Sequence, residues 1–178
     1  MIIIGIDPGT ATTGYGIIKV EKSGPRSKNL KYISHGCIET ACGEDFSKRL
    51  LILSKKLKNL IKKEKPDFVA IEKLFFFQNF KTAMMVSQAI GVMFLILEQM
   101  KIPVLEYAPL EVKKFLTKNG RAQKKEVEEK VKKMLKLKKI KRDDSADALA
   151  IAICAAYKIE SRRWRIENRR RKTRRKIN

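Results

Sequence analysis

Four carboxylates occupy positions from which they could form one metal site. Asp7 ends an apolar run at 2–6, Glu72 ends another at 68–71, and Asp144 and Asp147 lie three residues apart in a later alanine-rich segment. An acid directly behind a buried strand is costly unless it is paired or bound to metal. Oxygen ligands without Cys or His select Mg²⁺ or Mn²⁺. The pattern therefore predicts a divalent-cation site that neutralises the mutual repulsion of the acids.

Each acid also has a structural explanation of its own. Asp7 precedes Pro8 and Gly9 and could organise a turn, while Glu72 could be a solvated strand end. Asp144 fits a helix cap and Asp147 an acid of the first helical turn. Taken singly, none of the four is compelling as a ligand. The prediction depends on their convergence.

Hydrophobic periodicity indicates the elements that must position these acids. Three antiparallel strands are predicted first, at 2–7, 15–20 and 31–39. They are followed by a helix around 50–61, a buried strand at 68–72, a helix at 82–100, a strand at 103–107 and helices at 109–116, 124–137 and 144–159. This order predicts an α/β fold of the RNase H-like type, with a mixed five-stranded sheet flanked by helices. We expect one domain at 1–160 and a basic segment at 161–178 that is disordered until it meets a polyanion.

Net charge indicates the class of partner. The chain carries 41 Lys and Arg against 19 Asp and Glu, or +22. Such a charge implies a polyanion or an anionic membrane surface. A thermophile-like surface is the alternative, but there Glu normally balances Lys.

Other residues exclude several kinds of site. Cys37, Cys42 and Cys154 are odd in number and lack CxxC spacing, which argues against a disulfide framework and a zinc site. His35 is the only histidine, which argues against a histidine-dependent triad. The region 83–97 is interpreted as a buried helix because it is shorter than a membrane span. The start of the chain lacks signal-peptide features, so a cytoplasmic protein without a membrane partner is expected.

Five short motifs together resemble the RuvC family of Holliday-junction resolvases. They are Gly5-Ile6-Asp7-Pro8-Gly9, Thr13-Gly14-Tyr15-Gly16, Ala70-Ile71-Glu72, Gln88-Ala89 with Gly91-Val92, and the run from Asp144 to Ala152. The resemblance covers residues 1 to about 158 in the family's order. It implies that Asp7, Glu72, Asp144 and Asp147 are catalytic metal ligands, with Asp143 as a neighbour that could partly replace Asp144.

The resemblance also implies contacts with DNA. Phe75 resembles the aromatic side chain that stacks on unpaired bases at the junction centre, although it could be one member of an apolar Phe run. Lys113 and Lys124 stand where the family places basic residues near the scissile phosphate, although both could be ordinary surface lysines. Ile90 departs from the family, because a basic residue is expected at that position.

The activity implied by the resemblance is paired, symmetric nicking of four-way junctions in recombination and repair. Two Mg²⁺ ions, or Mn²⁺ in their place, would support hydrolysis to 5′-phosphate and 3′-hydroxyl ends. The implied partners are junction DNA, a second copy of the chain, which the helix at 82–100 would contact, and the RuvA and RuvB proteins. The alternatives are an RNase H-like nuclease acting on RNA–DNA hybrids or structured RNA, and a catalytically inactive junction-binding module.

Overall fold

The computed structural model describes residues 1–22, 28–41, 43–73 and 80–174. Five strands and five helices lie in this part of the chain. Their order is β1 (Ile2–Asp7), β2 (Thr12–Lys22), β3 (Lys28–Glu39), α1 (Phe46–Glu64), β4 (Phe68–Glu72), α2 (Phe80–Gln99), β5 (Val104–Tyr107), α3 (Pro109–Thr117), α4 (Lys124–Leu135) and α5 (Asp143–Arg174).

The strands form one mixed sheet in the order β3-β2-β1-β4-β5. β2 pairs antiparallel with both β1 and β3, whereas β4 is parallel to both β1 and β5. Ile6 of β1 lies opposite Ile71 of β4, so the next residues, Asp7 and Glu72, end neighbouring parallel strands at the same edge. The predicted five-stranded mixed sheet is confirmed.

Helices cover both faces of the sheet and create two cores. Ile4 and Ile6 pack with Val69 and Ile71 in the core that α1 and α2 cover. Ile3 and Ala70, which alternate with them, belong to the other core, beneath α3, α4 and α5. Side chains alternate between faces along a strand. Asp7 and Glu72 are therefore in phase with the α5 face.

Four lysines have left-handed backbone conformations near the ends of the first four helices. Lys65, Lys118 and Lys136 follow α1, α3 and α4, with φ of 47°, 66° and 55°, and Lys101 follows α2 with φ of 55°. Glycine is the usual residue at such positions. Each helix end thus carries a cation beside its unsatisfied carbonyls, which is the favourable sign for the helix dipole.

Helix α5 differs from its prediction at both ends. It begins at Asp143, so Asp144 lies inside the first turn and is not the cap. The Ser145 hydroxyl donates to the Arg142 carbonyl at 2.8 Å and organises this end. Towards the carboxyl end, α5 extends to Arg174 and includes most of the segment 161–178. The division into a domain and a disordered tail stays a prediction.

The α2 segment Thr82–Gln99 is long and apolar enough to cross a membrane, and 39% of it is buried. Core helices of globular proteins can be equally long and apolar, so length and composition do not distinguish these roles.

Candidate active site

Close packing of α5 on the sheet brings the late acids to the early ones. A Cβ atom added to Gly14 of β2 would overlap the carbonyl oxygen of Asp144 and lie 2.5 Å from its carbon. A Cβ atom on Gly5 of β1 would overlap the carbonyl oxygen of Ala148 and lie 2.7 Å from the Ala152 nitrogen. Only glycine permits backbones to approach this closely. The glycines of β1 and β2 thus set the short distance between α5 and the sheet, and so the position of the acids on α5.

Asp7 lies at the electrostatic centre of the cluster. Its pKa is raised from 3.8 to about 8, first by burial and then by the charges of Glu72, Asp147 and Asp144. Asp7 also shares a side-chain hydrogen bond with Glu72, which raises the pKa of Asp7 and lowers that of Glu72. Asp7 therefore holds a proton and donates it towards Glu72 when no cation is bound.

Burial and neighbouring acids also raise the pKa values of Glu72 and Asp147. For Glu72, burial is the largest cause, and the charge of Asp147 adds to it. For Asp147, burial is again the largest cause, with contributions from Asp143 and Asp144. Both directions show that a full set of ionised carboxylates is disfavoured in this enclosure. A cation would relieve that cost.

Two lysines provide the positive charge that is already present beside the acids. Lys124 Nζ lies 3.3 Å from an oxygen of Asp147, and this charge is the main reason that the pKa of Lys124 is raised. Lys124 is the first residue of α4, and the carboxylate of Glu126 accepts a hydrogen bond from the Gln123 backbone at that end. Lys113, on α3, is near enough for its charge to lower the pKa of Glu72.

The donor set of the cluster fits a hard divalent cation. Asp7, Glu72, Asp144 and Asp147 offer carboxylate oxygens at one edge of the sheet, which are the ligands that Mg²⁺ and Mn²⁺ prefer. Among the described residues, no three His, Cys, Asp or Glu side chains already have the arrangement of metal ligands. Asp7 and Glu72 are instead joined by a hydrogen bond, and a metal ion bound to both carboxylates would replace the shared proton.

The remaining predicted residues have different placements. Asp143 is exposed, although its charge acts on Asp147 and on Lys124. Phe75 lies outside the described residues. Ile90 is buried on α2.

Sequence reasoning missed Arg49, a cation that supports the turn after Asp7. Its side chain is only 7% exposed. The guanidinium donates to the carbonyl of Thr10, and its Nε donates to the Thr40 hydroxyl at 3.1 Å. The Thr40 hydroxyl also donates to the Thr10 carbonyl at 3.1 Å, so α1 and the residue that follows β3 together hold this turn. The surrounding α1 pattern is amphipathic, but the partners of Arg49 are distant in sequence.

Comparison with known proteins gives consistent results. A family model described as "Crossover junction endodeoxyribonuclease RuvC" matches residues 3–155. A relative of that name from Pseudothermotoga lettingae is 43% identical over 155 residues, which are 86% of this chain and 93% of the relative. The Thermus thermophilus RuvC structure superposes with a TM-score of 0.82 at 30% identity, over 90% of this chain and 96% of that one. A structure of T. thermophilus RuvC in complex with a Holliday junction substrate gives a TM-score of 0.80 at 27% identity, with the same coverage.

Proposed function

Because the chain belongs to the RuvC family of crossover junction endodeoxyribonucleases, we propose that it resolves four-way DNA junctions by hydrolysing phosphodiester bonds at the carboxylate cluster. The observation that supports this site is the convergence of Asp7, Glu72 and Asp147, whose pKa values are all raised in one enclosure flanked by lysines. A site that binds both divalent cations and a phosphate needs this combination of charges.

The acids and the lysines of the cluster have different roles in the proposed hydrolysis. Asp7, Glu72, Asp144 and Asp147 would hold divalent ions, and we expect two Mg²⁺ that Mn²⁺ can replace. Such ions would supply activation of the attacking water and stabilisation of the leaving 3′ oxygen, so the products would carry 5′-phosphate and 3′-hydroxyl ends. Lys124 and Lys113 lie on the helices beside the acids and would stabilise negative charge on the phosphate.

A two-fold homodimer would supply two such sites for two symmetric cuts. In support, the α1–α2 face carries an open groove whose lining includes Leu50, Val92 and Leu95. Leu95 is 60% exposed and Met84, also on α2, is 62% exposed. Apolar side chains exposed in one area mark an interaction surface.

Substitution of Leu95 tests the dimer. Leu95→Glu should convert the dimer to monomers in sedimentation or light scattering. Leu110→Glu is a matched control, because Leu110 is 61% exposed but lies on α3, across the sheet from α2. An unchanged mass for Leu95→Glu would exclude this face.

The family relationship also suggests RuvA and RuvB as partners and the cytoplasm as the location. Binding of the purified chain to RuvA–RuvB–junction complexes, compared with junction alone, would test the first suggestion. Equal affinity in both cases would argue against a direct contact.

A cleavage assay tests the activity itself. Labelled four-way junction, linear duplex and RNA–DNA hybrid are incubated with Mg²⁺ or with EDTA. We expect paired symmetric nicks in the junction only, dependent on Mg²⁺ and abolished by Asp7→Asn. The exposed Asp45→Asn is the isosteric control and should cut normally. Cutting of the hybrid would indicate a different nuclease, and binding of the junction without cutting would indicate an inactive module.

A further inference from the structure

An open cleft lies between the edge strand β3 and the start of α5. His35, Cys37 and Glu39 line it from β3, and Lys141, Arg142 and Ser145 line it from the other side. The cleft is distinct from the carboxylate cluster, because none of the four predicted metal ligands lines it.

Basic groups predominate in this cleft. Arg142 forms an ion pair with Glu39, and the two side chains are 52% and 56% exposed. Lys141 is close enough to His35 for its charge to lower the pKa of the imidazole, after the larger effect of burial. The Tyr32 hydroxyl lies 2.9 Å from His35 Nδ1 and fixes the ring. One acid therefore faces two permanent cations and a histidine.

The cleft begins where the carboxylate cluster ends. Ser145 follows Asp144 directly, and the charge of Asp144 raises the pKa of the Cys37 thiol on β3, so the two sites are neighbours. Lys124 and Lys113 lie on α4 and α3, beside Asp147 and Glu72. A nucleic-acid strand whose scissile phosphate is at the acids must continue in both directions, and cations along its path add affinity by neutralising further phosphates.

We propose that the cleft binds a backbone phosphate of the cut strand, next to the scissile phosphate, and that Arg142 releases Glu39 to hold it. This inference depends on the proposed function. A guanidinium binds phosphate through paired hydrogen bonds, as it does a carboxylate. Glu39 is paired with Arg142 Nη1 in the free protein and thus competes with the phosphate. Lys141 and His35 complete an anion-binding wall.

The exchange of partners predicts effects of opposite sign. Arg142→Gln should weaken junction binding about tenfold, which corresponds to the loss of one charge-assisted hydrogen-bonding group. It should also reduce the slope of log K against log salt by about 1, because one phosphate contact is lost. Glu39→Gln should strengthen binding several-fold, because it frees Arg142 beforehand.

Junction binding is measured by fluorescence anisotropy in EDTA, over a range of salt concentrations, with the full chain. Lys139→Gln is the matched control, since Lys139 is exposed three residues before Arg142 but does not line the cleft. Thermal melting checks that each variant folds, and Arg142→Lys, which keeps the charge but loses the fork, should lie between wild type and Arg142→Gln.

The double variant Glu39→Gln/Arg142→Gln separates a local exchange from a general change of charge. If Arg142 exchanges partners, Glu39→Gln has no effect once Arg142 is absent. Equal strengthening in both backgrounds, or an Arg142→Gln effect no larger than that of Lys139→Gln, would overturn the proposal. A wild-type protein that binds but never cuts junctions would refute the proposed function and leave this binding test intact.

Discussion

Replacement of Asp7 by Asn should stabilise the metal-free protein while it abolishes cleavage. In the folded chain the pKa of Asp7 is about 8, against 3.8 for the ordinary group. Between these values the folded state retains a proton that the unfolded chain has released. Stability contributed by this group is therefore present at low pH and is lost as the pH rises from about 4 to 8. An asparagine removes that loss and keeps a donor for Glu72.

The magnitude follows from the size of the shift. At pH 7 the unfolded carboxyl is ionised, because the pH is about three units above its pKa, whereas the folded carboxyl is still protonated. This difference sets an upper limit of about 4 kcal/mol on the gain in the free energy of unfolding. Water penetration reduces such figures, and we expect about 2 kcal/mol. For a chain of this length, that corresponds to a rise in melting temperature of roughly 4–8 °C.

The assay is thermal unfolding in EDTA at pH 4.5, 7 and 8. The advantage of Asp7→Asn over wild type should grow with pH and be small at pH 4.5. Asp45→Asn, at a carboxylate that is 75% exposed, should show no such trend. A pH-independent difference, or a less stable Asp7→Asn protein at pH 8, would refute the assignment of Asp7 as a buried acid strained by its neighbours.

Three further predictions concern packing, support and metal. Gly14→Ala should displace Asp144 and lower junction nicking about 10²-fold with little loss of binding. Gly43→Ala is the control and should be neutral, because a Cβ atom at that position meets open space. Unchanged nicking in Gly14→Ala would contradict the packing argument. Arg49→Met should lower stability by about 2 kcal/mol through its lost hydrogen bonds to Thr10 and its neighbours, measured by urea unfolding, and a neutral result would show that these bonds contribute nothing. Mg²⁺ at 100 times its dissociation constant should stabilise wild type by about 2.7 kcal/mol at pH 8, and EDTA should reverse the gain; equal stabilisation of Asp7→Asn would place the ion elsewhere.

Elements with a buried, regular pattern were predictable from sequence. The bounds Ile2–Asp7 and Phe68–Glu72 are those expected, because apolar runs of central strands end sharply at a charged residue. The β2–β3 hairpin is longer than expected, at Thr12–Lys22 and Lys28–Glu39. Backbone pairing with a neighbour continues the ladder through polar residues that carry no apolar signal.

The candidate site was predictable as a set of acids but not as a geometry. The strand ends and the spacing of Asp144 and Asp147 place four carboxylates on elements that can meet. The approach of Gly14 to Asp144 and the pairing of Lys124 with Asp147 depend on contacts between distant parts of the chain. Arg49 was missed for the same reason, because burial of a helical arginine is decided by the loop that covers it.

Near the ends of α1 to α4, this chain has lysine at left-handed positions where glycine would be less strained. A non-glycine residue in that conformation costs about 1 kcal/mol relative to glycine. Lys→Gly changes at these positions should therefore raise the free energy of unfolding. The positions are Lys65, Lys101, Lys118 and Lys136. The four changes together would also lower the net charge from +22 to +18 and weaken the electrostatic field that attracts DNA from a distance. A more heat-resistant variant made in this way should find its substrate more slowly.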